Sequence, residues 1–179
     1  MDAATDVTLL ARARAGEGEA FGLIFDRHRD RVLRHSLRLV PSWHDAEEVV
    51  AVTFLEAWRK RDRVRFVDES LLPWLLVTAT NVARNVSRSA RRYAALLDKL
   101  PAPLAPAAAS SDGSATEALR ALSLADRQVI TLSVLEGFSE AEIAAALGIA
   151  RGTVKSRLSR AKQRLATGLG PALLERTSS

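Results

Sequence analysis

A proline- and alanine-rich stretch, LPAPLAPAAASSDGSA from Leu100 to Ala115, sets the strongest limit on how this 179-residue chain can fold. It has too many prolines and too little apolar bulk to pack, which is typical of a flexible linker. Because the segments on either side are short and show helical periodicity, the chain is predicted to be all-α, with two small helical domains. The predicted limits are 1–95 and 116–170 for the domains, 96–115 for the linker and 171–179 for a short tail.

The composition narrows the class of protein. Apolar residues make up 47% of the chain and aromatic residues only 5%, which suits small helical domains. Cysteine is absent, and the spacings of His28, His35 and His44 match no zinc pattern. The N-terminus lacks the apolar core of a signal peptide, and no apolar run approaches the length of a membrane span. We therefore expect a soluble chain in a reducing compartment, with no metal and no cofactor.

Four helices are predicted in the N-terminal domain from capping residues and prolines. Asp6 is predicted to cap the first helix, and Ser42 with Asp45 forms a Ser-x-x-Asp capping signature at the start of the third. Pro73 is tolerated because it falls in the first turn of the fourth helix. The predicted helices cover about residues 6–16, 17–40, 42–60 and 70–92.

The fourth predicted helix has two distinct faces. One is an apolar stripe of leucine, valine and alanine side chains at helical spacing. The opposite face offers hydroxyl, amide and guanidinium groups and no carboxylate: Thr80, Asn81, Arg84, Asn85 and Arg88. Because these groups bind bases and phosphates, the face is a candidate nucleic-acid surface.

A helix-turn-helix is predicted in the C-terminal domain. Ser123 with Asp126 opens a helix that ends near Glu136, and Ser139 with Glu142 opens a short one before a turn at Gly148. A basic helix follows over about residues 151–166, with its buried stripe at Val154, Leu158, Ala161 and Leu165. Such a helix enters the DNA major groove with its N-terminal half. The residues expected there are Arg151, Thr153, Lys155, Ser156, Ser159 and Arg160.

Charge distribution supports contact with a polyanion at both helices. The formal net charge is only +5, but no acidic residue lies between Glu69 and Asp98 or between Glu142 and Glu175. A helix face that is merely solvated normally mixes charges of both signs. Two separate basic helices therefore favour two contacts with nucleic acid.

These motifs resemble those of a known family. LSLADRQVITLSVLEGFSEAEIAAALGIARGTVKSRLSRAKQRL is similar to region 4 of bacterial sigma factors. DAEEVVAVTFLEAWRK (Asp45 to Lys60) followed by PWLLVTATNVARN (Pro73 to Asn85) is similar to the region 2 helical bundle. Two such domains on a short linker, without a region 3, resemble the extracytoplasmic-function (ECF) group of the sigma-70 family.

The resemblance implies a cytoplasmic bacterial protein that binds core RNA polymerase, directs it to a promoter and helps to melt the DNA. It would be a binding protein and not an enzyme, and an anti-sigma factor would be a further possible partner. The C-terminal domain would read the −35 element as duplex and contact the polymerase β flap. The N-terminal domain would read the −10 element, partly as a separated strand.

The resemblance also assigns residues of the N-terminal domain. The helix from Trp43 to Lys60 would dock on the β′ clamp of the polymerase. The loop from Arg61 to Ser70, called the 61–70 loop below, would capture a flipped −10 base, and the following helix would lie along the −10 DNA. Clamp contacts are expected at Asp45, Glu47, Glu48, Phe54 and Trp58, and loop contacts at Arg61, Arg63 and Arg65.

Two other functions are compatible with parts of the sequence. A stand-alone helix-turn-helix regulator with a sensory N-terminal domain would explain the C-terminus equally well. It would leave the polar, basic face of the fourth helix without a role. An enzyme with a metal at Asp45, Glu47 and Glu48 is less favoured, because carboxylates at a helix start also stabilise the helix dipole.

Overall fold

The computed structural model describes residues 4–97 and 113–169, which form helices joined by turns. None of the helices in these two ranges is long and apolar enough to cross a membrane. Most of the predicted linker and the whole predicted tail lie outside the described residues. The α-helices are α1 (Asp6–Arg14), α2 (Gly18–Leu37), α3 (Trp43–Arg59), α4 (Leu72–Leu97), α5 (Gly113–Ala121), α6 (Leu124–Ile130), α7 (Glu140–Leu147) and α8 (Arg151–Leu169).

The helix starts follow local capping chemistry, with one correction. Ser42 caps α3 by accepting a hydrogen bond from the Asp45 backbone N–H at 3.0 Å, as predicted. Asp6, however, does not cap α1. Thr5 takes that position, and Asp6 lies in the first turn with its side chain buried against other elements.

Helices α1 to α4 form a bundle in which α3 packs between α2 and α4, and α1 packs on α2. Leu75, Leu76 and Ala79 of α4 are fully buried, so the predicted apolar stripe is confirmed. Two edge-to-face aromatic pairs join α2 to α3. Phe25 lies 4.7 Å from Phe54, and Phe21 lies 5.2 Å from Trp58, measured between ring centroids.

The helix predicted from Ser123 to Glu136 is not continuous in the structure. Helix α6 ends at Ile130 and is followed by a π-helical turn, Thr131–Leu135. The Thr131 hydroxyl donates to the Arg127 carbonyl at 2.8 Å, which competes with the regular helical ladder at this point. The wider turn is followed by Glu136 and by Gly137, which has a positive φ of 77°.

The predicted helix-turn-helix is confirmed by α7 and α8. Ser139 and Glu142 form a reciprocal capping box at the start of α7. Gly148 ends α7 in the left-handed conformation, with φ of 66° and ψ of 41°. Within α8, Val154, Leu158 and Ala161 are buried and Leu165 is half-buried, as the predicted stripe requires.

The two halves of the chain pack against each other, an arrangement that we call closed. Helix α4 contacts α6, α7 and the π-helical turn, so one apolar cluster continues through both halves. In addition, the Arg120 side chain of α5 donates to the Leu39 carbonyl, just after α2, at 3.2 Å. No sequence pattern indicated this contact, because linker composition predicts a tether and says nothing about docking.

Candidate nucleic-acid and partner interfaces

The N-terminal half of α8 presents a polar surface free of carboxylates. Lys155, Ser156, Ser159 and Arg160 are exposed, Arg151 is exposed, and Thr153 is half-buried. The buried stripe fixes this orientation, since Val154 and Leu158 point to the opposite side of the helix. The structure therefore brings four of the predicted −35 residues together on one accessible face, namely Lys155, Ser156, Ser159 and Arg160.

Asp126 holds two arginines of α8 in place. Its carboxylate is almost fully buried at the start of α6, and it receives the Arg160 guanidinium at 3.4 Å and the Arg164 guanidinium at 3.3 Å. These arginines lie one helical turn apart and share one partner. Arg151 is turned instead toward Glu140 of α7, at 3.5 Å.

The outer face of α4 is smaller than predicted. Arg84, Asn85 and Arg88 are exposed, but Thr80 is fully buried, and its placement on the outer face was wrong. The Thr80 hydroxyl lies 2.9 Å from His35 Nε2 and donates to the Leu76 carbonyl at 2.9 Å. Periodicity alone could not detect this, because threonine is small enough to lie at the border of an apolar stripe.

Two of the predicted −10 residues contact the C-terminal half in the closed arrangement. Asn81 is half-buried, and its side-chain oxygen accepts a hydrogen bond from the Gln128 amide of α6 at 2.8 Å. The Arg65 guanidinium lies so close to Gly148 that a Cβ at Gly148 would overlap it. The positive φ is what favours glycine at this position, since the exposed Arg65 side chain can move aside.

The 61–70 loop is held at both ends. At its start, the Arg61 guanidinium lies 4.6 Å from the centre of the Trp58 ring and donates to the Trp58 carbonyl at 2.9 Å. At its end, Val67 and Ser70 exchange two backbone hydrogen bonds of 3.0 Å and 2.9 Å. Arg63 and Arg65 are exposed between these points.

A buried carboxylate lies beside the end of the loop. Asp6 is 2% exposed, accepts from Arg27 at 2.6 Å and from the Leu71 backbone N–H at 2.7 Å, and lies 2.6 Å from His28 Nε2. Burial alone would raise the pKa of Asp6. The hydrogen bonds from His28, Leu71 and Arg27 outweigh it and lower the pKa to about 2. We refer to Asp6, Arg27, His28, Ser70 and Leu71 as the Asp6 cluster.

All but one of the predicted polymerase contacts on α3 are at least partly exposed. Glu47 and Glu48 are exposed, Asp45 is half-buried, and Trp58 is half-buried against Phe21. Phe54 is buried in the core against Phe25, so its assignment to an exposed contact surface was wrong. Its spacing of eight and four residues from the buried Ala46 and Val50 places it on the apolar face of α3. Across residues 4–97 and 113–169, no group of acidic or histidine side chains is arranged to hold a metal ion.

A second buried carboxylate joins the two halves. Glu136 follows the π-helical turn, and its side chain is 1% exposed. It receives Arg31 at 2.6 Å and His35 Nδ1 at 3.0 Å, both from α2, and Arg38, the C-cap of α2, at 3.2 Å. Burial acts to raise the pKa of Glu136, but the bonds from His35 and Arg31 prevail and hold it below its usual value. We call these four residues the Glu136 cluster.

Sequence reasoning missed both carboxylate clusters. The spacings of His28 and His35 match no zinc pattern and say nothing of their partners, and the structure places both side chains in buried positions. Their acidic partners lie 22 and 101 positions away along the chain. No local pattern in one sequence reports a contact at such separations. Gln128, which binds Asn81, was missed for the same reason.

Comparison with known proteins gives matches in both halves. The sequence model of Sigma-70 region 2 matches residues 24–93, and that of Sigma-70 region 4 matches residues 113–165. RNA polymerase sigma factor CarQ of Myxococcus xanthus is 32% identical over 172 residues, covering 93% of this chain and 98% of CarQ. ECF RNA polymerase sigma factor SigL of Mycobacterium tuberculosis is 33% identical over 154 residues, covering 82% of this chain and 86% of SigL.

Two solved structures share the architecture over most of the chain. CnrH, in a complex with the cytosolic domain of CnrY, matches with a TM-score of 0.60 at 26% identity. That match covers 96% of this chain and 97% of CnrH. The sigma factor RpoE of Bartonella quintana, in a complex with the anti-sigma factor NepR, matches with a TM-score of 0.56 at 30% identity. It covers 83% of this chain and 96% of RpoE.

Proposed function

Given that this chain belongs to the ECF group of the sigma-70 family and acts in promoter-directed transcription initiation, we propose which of its surfaces bind each partner. Helix α8 reads the −35 element, α4 with the 61–70 loop reads the −10 element, and α3 docks on the polymerase β′ clamp. The observation that carries the assignment is the exposed, carboxylate-free N-terminal half of α8, opposite its buried stripe.

The −35 assignment can be tested with a matched pair of arginines. Arg160 and Arg164 share Asp126 as a partner, so loss of that contact is common to both alanine variants. Arg160 and Lys155 lie toward the N-terminal half of α8, where base edges are reached. Arg164 lies one turn further on and contacts phosphates.

Run-off transcription with core polymerase on a panel of −35 variants separates these roles. Arg160→Ala or Lys155→Ala should cost about 1–3 kcal/mol on the preferred −35 element and relax the choice of base. Arg164→Ala should weaken all variants evenly and reduce the salt dependence of binding. Equal, sequence-blind losses at all three positions would show that α8 holds the backbone and reads no bases.

The polymerase contact is assigned to the acidic end of α3. Asp45 and Glu48 lie on a helix start remote in sequence from the basic faces of α4 and α8. Asp45→Lys with Glu48→Lys should weaken binding of the full chain to core polymerase. Glu19→Lys, an exposed charge reversal on α2, is the matched control and should leave it unchanged. Equal binding by both variants would place the docking surface elsewhere.

The closed arrangement must open before the −10 surface can be used. Asn81 is bonded to Gln128, and Arg65 lies against the helix-turn-helix turn. While these contacts persist, the Asn81 side-chain oxygen is not available to a base, and the Arg65 guanidinium points toward Gly148. We infer that polymerase and promoter binding separate the halves, in competition with the Glu136 cluster.

The solved structures of similar proteins suggest a further class of partner. CnrH and RpoE were solved with CnrY and with the anti-sigma factor NepR, and we propose that this chain is also held by an anti-sigma factor. We place the protein in the bacterial cytoplasm, where its polymerase is, and assign it no catalytic reaction. The polymerase β flap is the proposed contact of the C-terminal half.

The stand-alone regulator is not favoured, because residues 24–93 match Sigma-70 region 2. The two functions differ in one measurement, a promoter footprint with and without core polymerase. A sigma factor protects the −35 and −10 elements only as part of the polymerase complex. The same footprint from the free protein would favour the regulator instead.

A further inference from the structure

Helix α1 contacts both ends of the 61–70 loop. At the end of the loop, the Asp6 carboxylate accepts from the Leu71 backbone N–H at 2.7 Å and lies 3.4 Å from the Ser70 hydroxyl. At its start, Arg14 donates to the Arg61 carbonyl and forms an ion pair with Asp62 at 3.2 Å. The Sigma-70 region 2 match begins at residue 24, so α1 lies outside it.

The loop contains a turn that needs outside support. Asp68 and Glu69 have positive φ values of 47° and 60°, as the central residues of a type I′ turn do. Glycine, asparagine and aspartate tolerate this conformation, whereas glutamate does not favour it, so the strain falls on Glu69. Two backbone hydrogen bonds between Val67 and Ser70 close the turn. Strain of this kind persists only where neighbouring contacts fix the backbone.

Asp6 is itself rigidly held, which makes it an effective anchor. Arg27 donates to its Oδ1 at 2.6 Å and also to the Ala4 carbonyl at 2.8 Å, while His28 lies 2.6 Å from Oδ2. The lowered pKa of Asp6, about 2, means that the carboxylate stays ionised at neutral pH. The same oxygen, Oδ2, faces His28 and Leu71 and thus links α2 to the loop end.

We propose that α1 is a positioning element for −10 recognition, in which Asp6 and Arg14 hold the 61–70 loop in the conformation that meets the DNA. Asp6 has the larger part, because it fixes the backbone next to the strained turn. The inference rests on the proposed −10 role of the loop. It adds residues that touch no DNA but determine how selectively the loop binds it.

The test compares −10 selectivity among variants of the full chain with core polymerase. Run-off transcription on a library with a randomised −10 element gives a preference profile that does not depend on the fraction of active protein. Asp6→Asn should lower the ratio of transcription from the preferred −10 sequence to that from the others by about tenfold, because the released turn samples other conformations. The control Glu17→Gln neutralises an exposed carboxylate paired with Arg12 in the same region and should leave the profile unchanged.

A second variant separates positioning from simple loss of stability. Glu69→Gly creates Asp-Gly, a preferred type I′ dipeptide, so the turn no longer needs its anchor. Asp6→Asn combined with Glu69→Gly should therefore regain the wild-type profile. A general stability defect would not be rescued in this way.

Three results would overturn the inference. If Asp6→Asn lowers transcription from all −10 variants equally, Asp6 serves stability alone. If the profile flattens but Glu69→Gly does not restore it, Asp6 acts on something other than the turn. If the wild-type protein itself shows no −10 preference, the proposed function of the loop fails, and the inference with it.

Discussion

Asp6 and Glu136 are both buried carboxylates bound by arginine and histidine side chains of α2 and of its C-cap residue, Arg38. Asp6 uses Arg27 and His28, and Glu136 uses Arg31, His35 and Arg38. The first carboxylate lies within the N-terminal bundle, whereas the second arrives from the C-terminal half. Similar chemistry therefore fixes a fold in one case and holds two domains together in the other.

The two clusters differ in the consequence of losing the carboxylate. Without Asp6, the Leu71 N–H and the buried His28 lose a partner inside the bundle. Without Glu136, Arg31 and Arg38 can be hydrated, because their side chains are 42% and 46% exposed. The fully buried His35 loses one partner but keeps the Thr80 hydroxyl, 2.9 Å from its Nε2. The Glu136 cluster is thus suited to a contact that forms and breaks, and the Asp6 cluster to one that persists.

The largest expected effect is on folding. Asp6→Ala should lower the free energy of unfolding of the N-terminal bundle by about 3–5 kcal/mol, as for other broken buried ion pairs. Glu136→Ala should change it by less than about 1 kcal/mol, since no element of that bundle depends on Glu136 for its fold. Urea denaturation, with hydrogen exchange of α1 and α2 amides, measures both. Equal losses of unfolding free energy in the two variants would contradict the proposed difference between the two clusters.

Acid sensitivity should follow the pKa of Asp6. The folded value of about 2 lies below the ordinary 3.8, so the stabilisation is complete above pH 5 and is lost as the pH falls toward 2. The linkage amounts to about 2 kcal/mol. Urea unfolding between pH 6 and pH 2 should show this loss in the wild type and not in Asp6→Asn. Parallel pH dependence in both proteins would assign the effect to other groups.

Breaking the Glu136 cluster should open the molecule rather than unfold it. Glu136→Gln removes a charge that is bound by two arginines and a histidine, and hydrogen bonds to charged groups contribute about 1.5–3 kcal/mol. Because the chain has no cysteine, dyes at E19C and K162C report the separation of the halves by energy transfer. The opened fraction should rise about tenfold or more.

The control for this variant is Glu56→Gln, which neutralises a carboxylate paired with Lys60 inside α3. It should leave the energy transfer unchanged. Glu136 also has a lowered pKa, so the contact should persist at neutral pH and weaken as acid protonates the carboxylate. Unchanged transfer in Glu136→Gln would mean that apolar packing alone keeps the halves together.

The smallest effect should come from the neutral contact between the halves. Gln128→Ala removes one amide hydrogen bond to Asn81, for which about 0.5–1.5 kcal/mol is expected. Its energy transfer should lie between those of the wild type and Glu136→Gln, with Gln163→Ala on the exposed side of α8 as control. A larger opening than in Glu136→Gln would reverse the order of importance of the two contacts.

Much of the fold could be predicted from the sequence because its signals are local. Ser42, Ser139 and Gly148 act within one helical turn, and the stripe of α8 follows from a fixed period of 3.6 residues. The same period places Lys155, Ser159 and Arg160 on an exposed face. These features can be predicted without knowing which helices pack against each other.

Tertiary structure decided the features whose partners are distant in sequence. Whether Thr80 is exposed depends on how α2 packs against α4, because a small side chain at the border of an apolar stripe fits either face. Asp6 was a plausible cap by sequence, but a carboxylate binds whichever donors the fold brings near, and here those are Arg27, His28 and Leu71. Caps and stripes are determined by neighbours along the chain, whereas buried charges are determined by neighbours in space.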